Sequence, residues 1–190
     1  YMISLLEEAK PFIDKGIFGG IRISTRPDAI DEEILKILKE FKVTAIELGA
    51  QSTDDEVLLC NRRGHTKDDI INSSLLIKKH GFSLGLQMMT GLYKSTREKD
   101  VKTASDIIAL KPDTVRIYPT IVLKDTDLAA LYLDKKYKMF YDEFEGITWL
   151  YSKMKPRYTN SLAFYTYIGL HDNGQFWRRL VVRYHGDDWL

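Results

Sequence analysis

Cysteine is nearly missing from these 190 residues: Cys60 stands alone, so neither an internal disulfide nor an all-cysteine metal site can form. A reducing, cytoplasmic setting is the plainest inference. Long apolar runs are missing too. None approaches the ~18 residues of a membrane span, which argues against a membrane partner. Excess charge of one sign is also absent, with 28 basic against 27 acidic residues. That balance gives no large electrostatic footprint for nucleic acid or a membrane surface. His171 and His185 lack metal-ligand spacing, and Asp187-Asp188 lacks the further oxygens of a calcium loop. The opening YMISLLEEAK is acidic where a secretion signal would be basic, and both ends read as abrupt. What is present suffices for a core: 44% of residues are apolar, and the length suits one or two domains.

The chain is organised around Val43 to Thr66, VTAIELGAQSTDDEVLLCNRRGHT. Val43, Ala45, Ile46 and Leu48 read as a buried strand that breaks at Gly49-Ala50-Gln51-Ser52. Thr53 with Glu56 has the spacing of a capping box, predicting a helix start there. A strand running into a helix N-terminus presents amides and hydroxyls, and parallel βα folds build their sites at that end. The pattern alone fits either such a site or an ordinary capped loop.

The remaining units follow the same rhythm. Residues 2–15 have helical spacing with Gly16 as a stop, and GGIRIST forms a strand leaving through Thr25-Arg26-Pro27-Asp28. Asp28 with Asp31 predicts a cap for a helix whose apolar face includes Ile34, Leu35 and Leu38. Thr66 with Asp69 opens a helix that Gly81 ends. Phe82 to Met89 is the third strand, Ser95 with Glu98 predicts the next cap, and Thr114 to Tyr118 is the fourth strand. A last helix is predicted from Asp125 to about Asp134. Four such units fit half of a (β/α) barrel or part of an open doubly wound sheet, and spacing does not separate the two.

After Tyr137 the composition turns aromatic and helical periodicity fades. Phe164 to Ile168 and Trp177 to Tyr184 read as strands, with Asp172-Asn173-Gly174 as a hairpin turn. The predicted domains are 1–138, a partial barrel, and 139–190, an antiparallel β module that stops where its last strand should continue. The aromatics, Trp149, Trp177 and Trp189 among them, suit a small β core better than a stacking surface. Cys60 and Met88-Met89 are expected in the core.

The segments IRISTRPDAIDEEIL, IELGAQSTDDEVL, NRRGHT, LGLQMMTGL and LKPDTVRIYPTIVLKDTDLAALY resemble a radical S-adenosylmethionine (SAM) protein. The group is that of the bacterial relatives of the Elongator catalytic subunit, similar also to oxygen-independent coproporphyrinogen oxidase. The resemblance runs from about Leu5 to Lys138. It implies an α/β fold, a partial TIM-like barrel of four βα units. It also implies chemistry in which a four-iron four-sulfur cluster reduces SAM to a 5′-deoxyadenosyl radical, serving wobble-uridine modification in tRNA. By position, the resemblance sets Gln51 at the SAM ribose and Arg63 at the SAM carboxylate. Ser24 and Gln87 fall at further SAM-contacting positions, where the oxidase branch has a glutamate and an aspartate. Arg26, Arg116 and Tyr118 are implied to line the barrel mouth toward substrate. Gly91-Leu92-Tyr93-Lys94 departs from Gly-Leu-Pro-Gly and is expected to loosen its loop.

The family's CxxxCxxC is not in this sequence, so the cluster is not expected to bind this chain, and catalysis by this chain alone is not expected. Weak SAM binding is expected, with tRNA a partner by family analogy only. The tail, FEGITW, YIGLHDNG and WRRLVVRYHGDDWL, resembles small bacterial β domains without a settled role. The join therefore reads as a fusion of two fragments. Three functions follow: an inactive radical SAM fragment, a binding module acting through the aromatic tail, or a structural fusion without activity. Half a barrel also leaves sheet edges that invite pairing, so the tail is expected to cover one or the chain to self-associate.

Overall fold

The computed structural model describes residues 2–139, together with the backbone of 162–167 and 179–184. A helix, α1 (Met2–Asp14), is followed by four strand–helix units. The strands are β1 (Ile21–Thr25), β2 (Val43–Gln51), β3 (Ser83–Thr90) and β4 (Thr114–Pro119). The helices between and after them are α2 (Glu32–Glu40), α3 (Asp55–Cys60), α4 (Lys67–Lys79), α5 (Arg97–Ala109) and α6 (Asp127–Leu133).

Local chemistry sets most helix ends. The Asp31 carboxylate caps α2 by accepting the Ile34 N–H at 2.8 Å, and Glu32 and Glu33 favour the positive end of the helix dipole. Asp28, the expected partner in that cap, instead binds Arg26. Thr66 and Asp69 form the predicted capping box of α4. At the other end of α4, Gly81 takes φ +78°, Phe82 N–H bonds the Ile77 carbonyl and Gly81 N–H the Lys78 carbonyl. This is a Schellman motif, with glycine where the left-handed residue is needed.

Two predicted caps are displaced by one residue. The cap of α3 is Asp54, which accepts Val57 N–H at 3.0 Å. The Thr53 hydroxyl is drawn away to Asp106 on α5, at 2.7 Å. Likewise Thr96 caps α5, while the Ser95 hydroxyl donates to the buried Asp100 at 2.6 Å. A carboxylate on α5 has outcompeted the local cap in both places, from a distant part of the sequence for Thr53 and from within the capped helix for Ser95.

Every neighbouring strand pair is parallel and the sheet order is β1-β2-β3-β4. A doubly wound sheet reverses its strand order at a switch point. This one does not, so the architecture is a partial (β/α) barrel. On the helix side, Ile46, Leu48, Leu84, Leu86, Met88, Val115 and Ile117 pack with Leu35, Leu38, Ile77 and Ile107 into one core. The opposite, concave face carries Arg22, Ser24, Glu47, Gln87, Arg116 and Tyr118, as alternation along the strands requires.

A second sheet pairs β5 (Leu162–Tyr167) with β6 (Arg179–Tyr184) antiparallel, as the alternation predicted. The backbone of β5 lies against β4, while β1 pairs only with β2 among the described residues. The Asp172-Asn173-Gly174 turn, Trp149, Trp177, Trp189, His171, His185 and Asp187-Asp188 lie outside the described residues. Among the described residues no helix is long and apolar enough to cross a membrane.

The loop after β3 is not loosened by its departure from Gly-Leu-Pro-Gly. Asp100 accepts the Gly91 N–H at 2.9 Å as well as the Ser95 hydroxyl, and the Tyr137 hydroxyl donates to the Gly91 carbonyl at 2.6 Å. Burial, helped by the Asp100 charge, pushes the Tyr137 phenol from 10.0 to about 12. A proton held more tightly in the folded state stabilises fully below about pH 10, and that contribution is lost as pH rises toward 12. We expect urea-unfolding free energy to fall across this window, and Tyr137→Phe to flatten the fall while costing about 1 kcal/mol at neutral pH. An equally steep alkaline loss in the variant would assign it to other groups.

Candidate functional site

The site forms where β2 ends. The ladder to β3 skips a residue, with Gly49 opposite Gln87 and Gln51 opposite Met88. At the skip, Ser52 N–H bonds back to the Ala50 carbonyl at 2.7 Å around Gln51, whose φ is +64°. This is a γ-turn with a positive φ at a non-glycine residue, a conformation that costs on the order of 1–3 kcal/mol. The surrounding contacts hold it. Thr103 on α5 binds Ser52 Oγ at 3.3 Å and accepts Thr53 N–H at 3.1 Å. Asp106, which takes the Thr53 hydroxyl, is itself anchored by Lys67 at 2.8 Å and Lys102 at 2.9 Å.

The turn folds the Gln51 side chain back over the sheet. It is 5% exposed, and its Oε1 accepts from Gln87 Nε2 at 3.2 Å. Gly49 makes room for it: a Cβ there would lie 2.9 Å from Gln51 Nε2 and 3.9 Å from Arg63 Nη2. Any larger residue at 49 would displace the amide. Gln51 and Arg63, twelve residues apart in sequence, therefore converge on the bare backbone of Gly49.

Arg63 is delivered by the end of α3. Arg62 takes φ +52°, its N–H bonds the Leu59 carbonyl, and Arg63 N–H bonds the Leu58 carbonyl, a Schellman motif built without glycine. Arg63 Nε is buried with no hydrogen-bond partner, and no carboxylate among the described residues is within ion-pair reach of its guanidinium. Burial, and secondarily the positive charge of Arg26, depress its pKa below the ordinary arginine value. Arg26 lies across Gly64, where a Cβ would sit 2.9 Å from its Nη2, and forks onto Asp28 with Nε 2.9 Å from Oδ1. That fork holds the Asp28 carboxyl below the usual range. One guanidinium is thus paired with a carboxylate and, among the described residues, the other is not.

A second cluster occupies the concave face. Glu47, 2% exposed, is an ion-pair partner of Arg22 and of Arg116, whose Nη1 is 3.0 Å from Oε1, and Ser24 Oγ is 3.4 Å away. Gly85 leaves the space through which Arg22 reaches Thr114 at 3.4 Å. The structure therefore divides the expected site residues. Gln51, Arg63 and Arg26 gather at the strand ends; Gln87, within β3 and level with Arg116 of β4, reaches Gln51 from the sheet, and Ser24 and Arg116 belong to the Glu47 cluster. Arg116 is third of six residues in β4, so it is not at the strand end; Tyr118, two further on, lies opposite Met89. Sequence reasoning missed Glu47, although a lone carboxylate in an apolar strand, opposite arginines in two others, was a readable signal.

Cys60 is exposed, not in the core as expected. In the short α3 the buried positions are Val57 and Leu58, and Cys60 falls on the far side. One thiol does not fit a cluster that needs three, and among the described residues no group of three or more His, Cys, Asp or Glu could hold a metal ion.

A partial parallel barrel with a carboxylate-free arginine and a strained amide at its strand ends defines the chain as an α/β protein of the (β/α)-barrel class. The sequence model of the radical SAM superfamily matches residues 3–107, more than half of the chain, and the chain belongs to that superfamily. It is 34% identical over 124 residues to a tRNA uridine(34) acetyltransferase of Methanocaldococcus jannaschii, covering 64% of this chain and 23% of that protein. It is 32% identical over the same length, with the same coverage, to Elongator complex protein 3 of Homo sapiens. The structure of the archaeal Methanocaldococcus infernus Elp3 with an N-terminal deletion superposes with a TM-score of 0.64 at 30% identity, covering 70% of this chain and 32% of that one. The chain spans about a quarter of the length of these curated relatives.

The Glu47 cluster makes a direct stability claim. Removing the carboxylate leaves two guanidiniums facing each other across the sheet. Glu47→Leu should cost about 2 kcal/mol, less than a fully buried pair would, because Arg22 keeps 35% of its side chain in solvent. Replacing Arg22, Glu47 and Arg116 together by apolar residues should recover most of that loss in urea unfolding. Failure to recover would mean that the cluster itself carries the stability.

Proposed function

We propose that residues 1–138 are the carboxy-terminal half of an Elongator-like radical SAM barrel, and that this half contributes one wall of the SAM site. In this reading Arg63 forks onto the SAM carboxylate, and Gln51 offers donor and acceptor to the ribose hydroxyls. Gln87 orients the Gln51 amide. Ser24 lies deeper, beside Glu47, and Arg26, Arg116 and Tyr118 face the substrate side. The boundary to the β module lies at about Lys138.

The observation that carries the reading is the state of Arg63: a guanidinium with a buried, unpartnered Nε and no carboxylate in reach. Such a group gains most from an anion that arrives with the ligand. The strained, buried Gln51 beside it supports the same site. The thiolates for an iron–sulfur cluster are not among these residues, so this chain's role is to bind and orient SAM and not to generate a radical. The archaeal relative's name points to tRNA uridine 34 as the eventual target; with a net charge of +1, this chain carries little of the phosphate contact such a target needs.

Calorimetric titration of the purified chain with SAM and with 5′-methylthioadenosine, which lacks the carboxylate, tests the assignment. Arg63→Ala should weaken SAM roughly tenfold or more, about 1.5 kcal/mol for a charged hydrogen bond, and leave methylthioadenosine unchanged. Gln51→Ala should weaken both. Equal losses for the two ligands in Arg63→Ala would remove Arg63 from the carboxylate.

A further inference from the structure

Behind Gln51 stands a histidine that SAM binding does not use. His65 follows Arg63-Gly64 and precedes the α4 capping box; it is 5% exposed. Its Nε2 lies 3.1 Å from the Ala50 carbonyl oxygen. A carbonyl only accepts, so Nε2 carries the proton and donates. Nδ1 is buried and has no partner.

The Ala50 carbonyl is also the acceptor of the Ser52 N–H that closes the turn around Gln51, at 2.7 Å. Ala50 is fully buried, so its carbonyl takes hydrogen bonds only from within the protein. Ser52 supplies one and His65 the other. Losing the second donor favours returning the strand to its ordinary ladder. Alternation keeps residue 51 on the face of Glu47, Gly49 and Gln87 either way, but in an ordinary extended strand its side chain would stand off the sheet and not fold back over Gly49.

We propose that His65 is a positioning residue: its Nε2–H holds the Ala50 carbonyl in the turn and thereby aims the Gln51 amide at Gln87 and across Gly49 toward Arg63. Its effect on affinity rests on the reading of Gln51 as a SAM contact; its effect on the turn does not. Since Nδ1 makes no bond, a residue that supplies only the distal N–H is enough. Glutamine places an amide nitrogen at nearly the reach of Nε2, and asparagine falls short.

The test is NMR of the isotope-labelled 190-residue chain. A residue with positive φ gives a strong intraresidue N–H to Hα cross-peak, expected for Gln51 in the wild type and in His65→Gln, and lost in His65→Asn. SAM affinity should fall roughly tenfold in His65→Asn, the scale of one buried hydrogen bond to a positioned group, and stay within about twofold in His65→Gln. Imidazole nitrogen shifts of the wild type should show Nε2 protonated and Nδ1 bare, and the opposite tautomer overturns the proposal even if a variant fails to fold. Gln51 keeping its cross-peak in His65→Asn also overturns it. Loss of the cross-peak with unchanged SAM affinity upholds the positioning role and removes Gln51 from the SAM contacts instead.

Discussion

One interruption in hydrogen bonding governs this molecule: the point where β2 leaves its ladder with β3 between Gly49 and Gln51. An uninterrupted strand would have kept residue 51 on the concave face but with its side chain extended away from Gly49. The skip instead turns a buried amide back over a glycine and beside a half-buried arginine. Holding a positive φ at glutamine is unfavourable by on the order of 1–3 kcal/mol. Opposing it are bonds from three elements: Thr103 and Asp106 on α5, His65 ahead of α4, and Gln87 on β3. Each contributes about 1 kcal/mol, so the strained form wins only because several of them act together. A site whose shape depends on converging helices is a property of the whole half-barrel, not of the loop.

The concave face obeys a different logic. Glu47 sits almost fully buried between two guanidiniums, and such arrangements recover little more than their own desolvation. Apolar residues would pack that face at no less stability, so the cluster is poor evidence for a purely structural role. Its consequence is geometric: Arg116 and Arg22 are tethered along the sheet surface, with Gly85 clearing their path. Nearer the strand ends the balance of charge changes, because Arg26 is matched by Asp28 while Arg63 is matched by nothing among the described residues. Two guanidiniums share one carboxylate deep in the sheet and, among the described residues, a further guanidinium stands without one at its rim, so positive charge runs along the whole face.

Much of this was legible in the sequence, and what was not has a common cause. Alternating apolar strands and amphipathic helices gave the four units, and Thr66 with Asp69 formed the capping box their spacing implied. Thr53 and Ser95 had equally good spacing, yet each hydroxyl serves a carboxylate on α5 and the helix begins one residue later. Spacing describes only local competitors, so a cap can be lost to a partner fifty residues away. The same blindness applied to the loop after β3, where Asp100 and Tyr137 tie down a sequence that departs from its relatives' pattern. Cys60 was misplaced for a simpler reason, since one turn of helix offers few buried positions and Val57 and Leu58 fill them. Barrel and doubly wound sheet stayed inseparable until the pairing order was known, because strand order is not written in periodicity.

The division of labour between the two faces explains how four units suffice to present this wall. Among the described residues the main apolar core lies on the helix side of the sheet, where Leu86, Met88 and Ile117 on the strands meet Leu35, Ile77 and Ile107, joined by Leu6 of α1. Burial of side chains that size is the main source of stability in a domain of this kind. The concave face adds almost nothing apolar that would need a cover: it carries Arg22, Ser24, Glu47, Gln87 and Arg116, groups that tolerate water once paired. The strand ends can therefore be held in place by a core that does not depend on anything packed against the concave side. A half-barrel built this way keeps its strand ends in shape on its own helices.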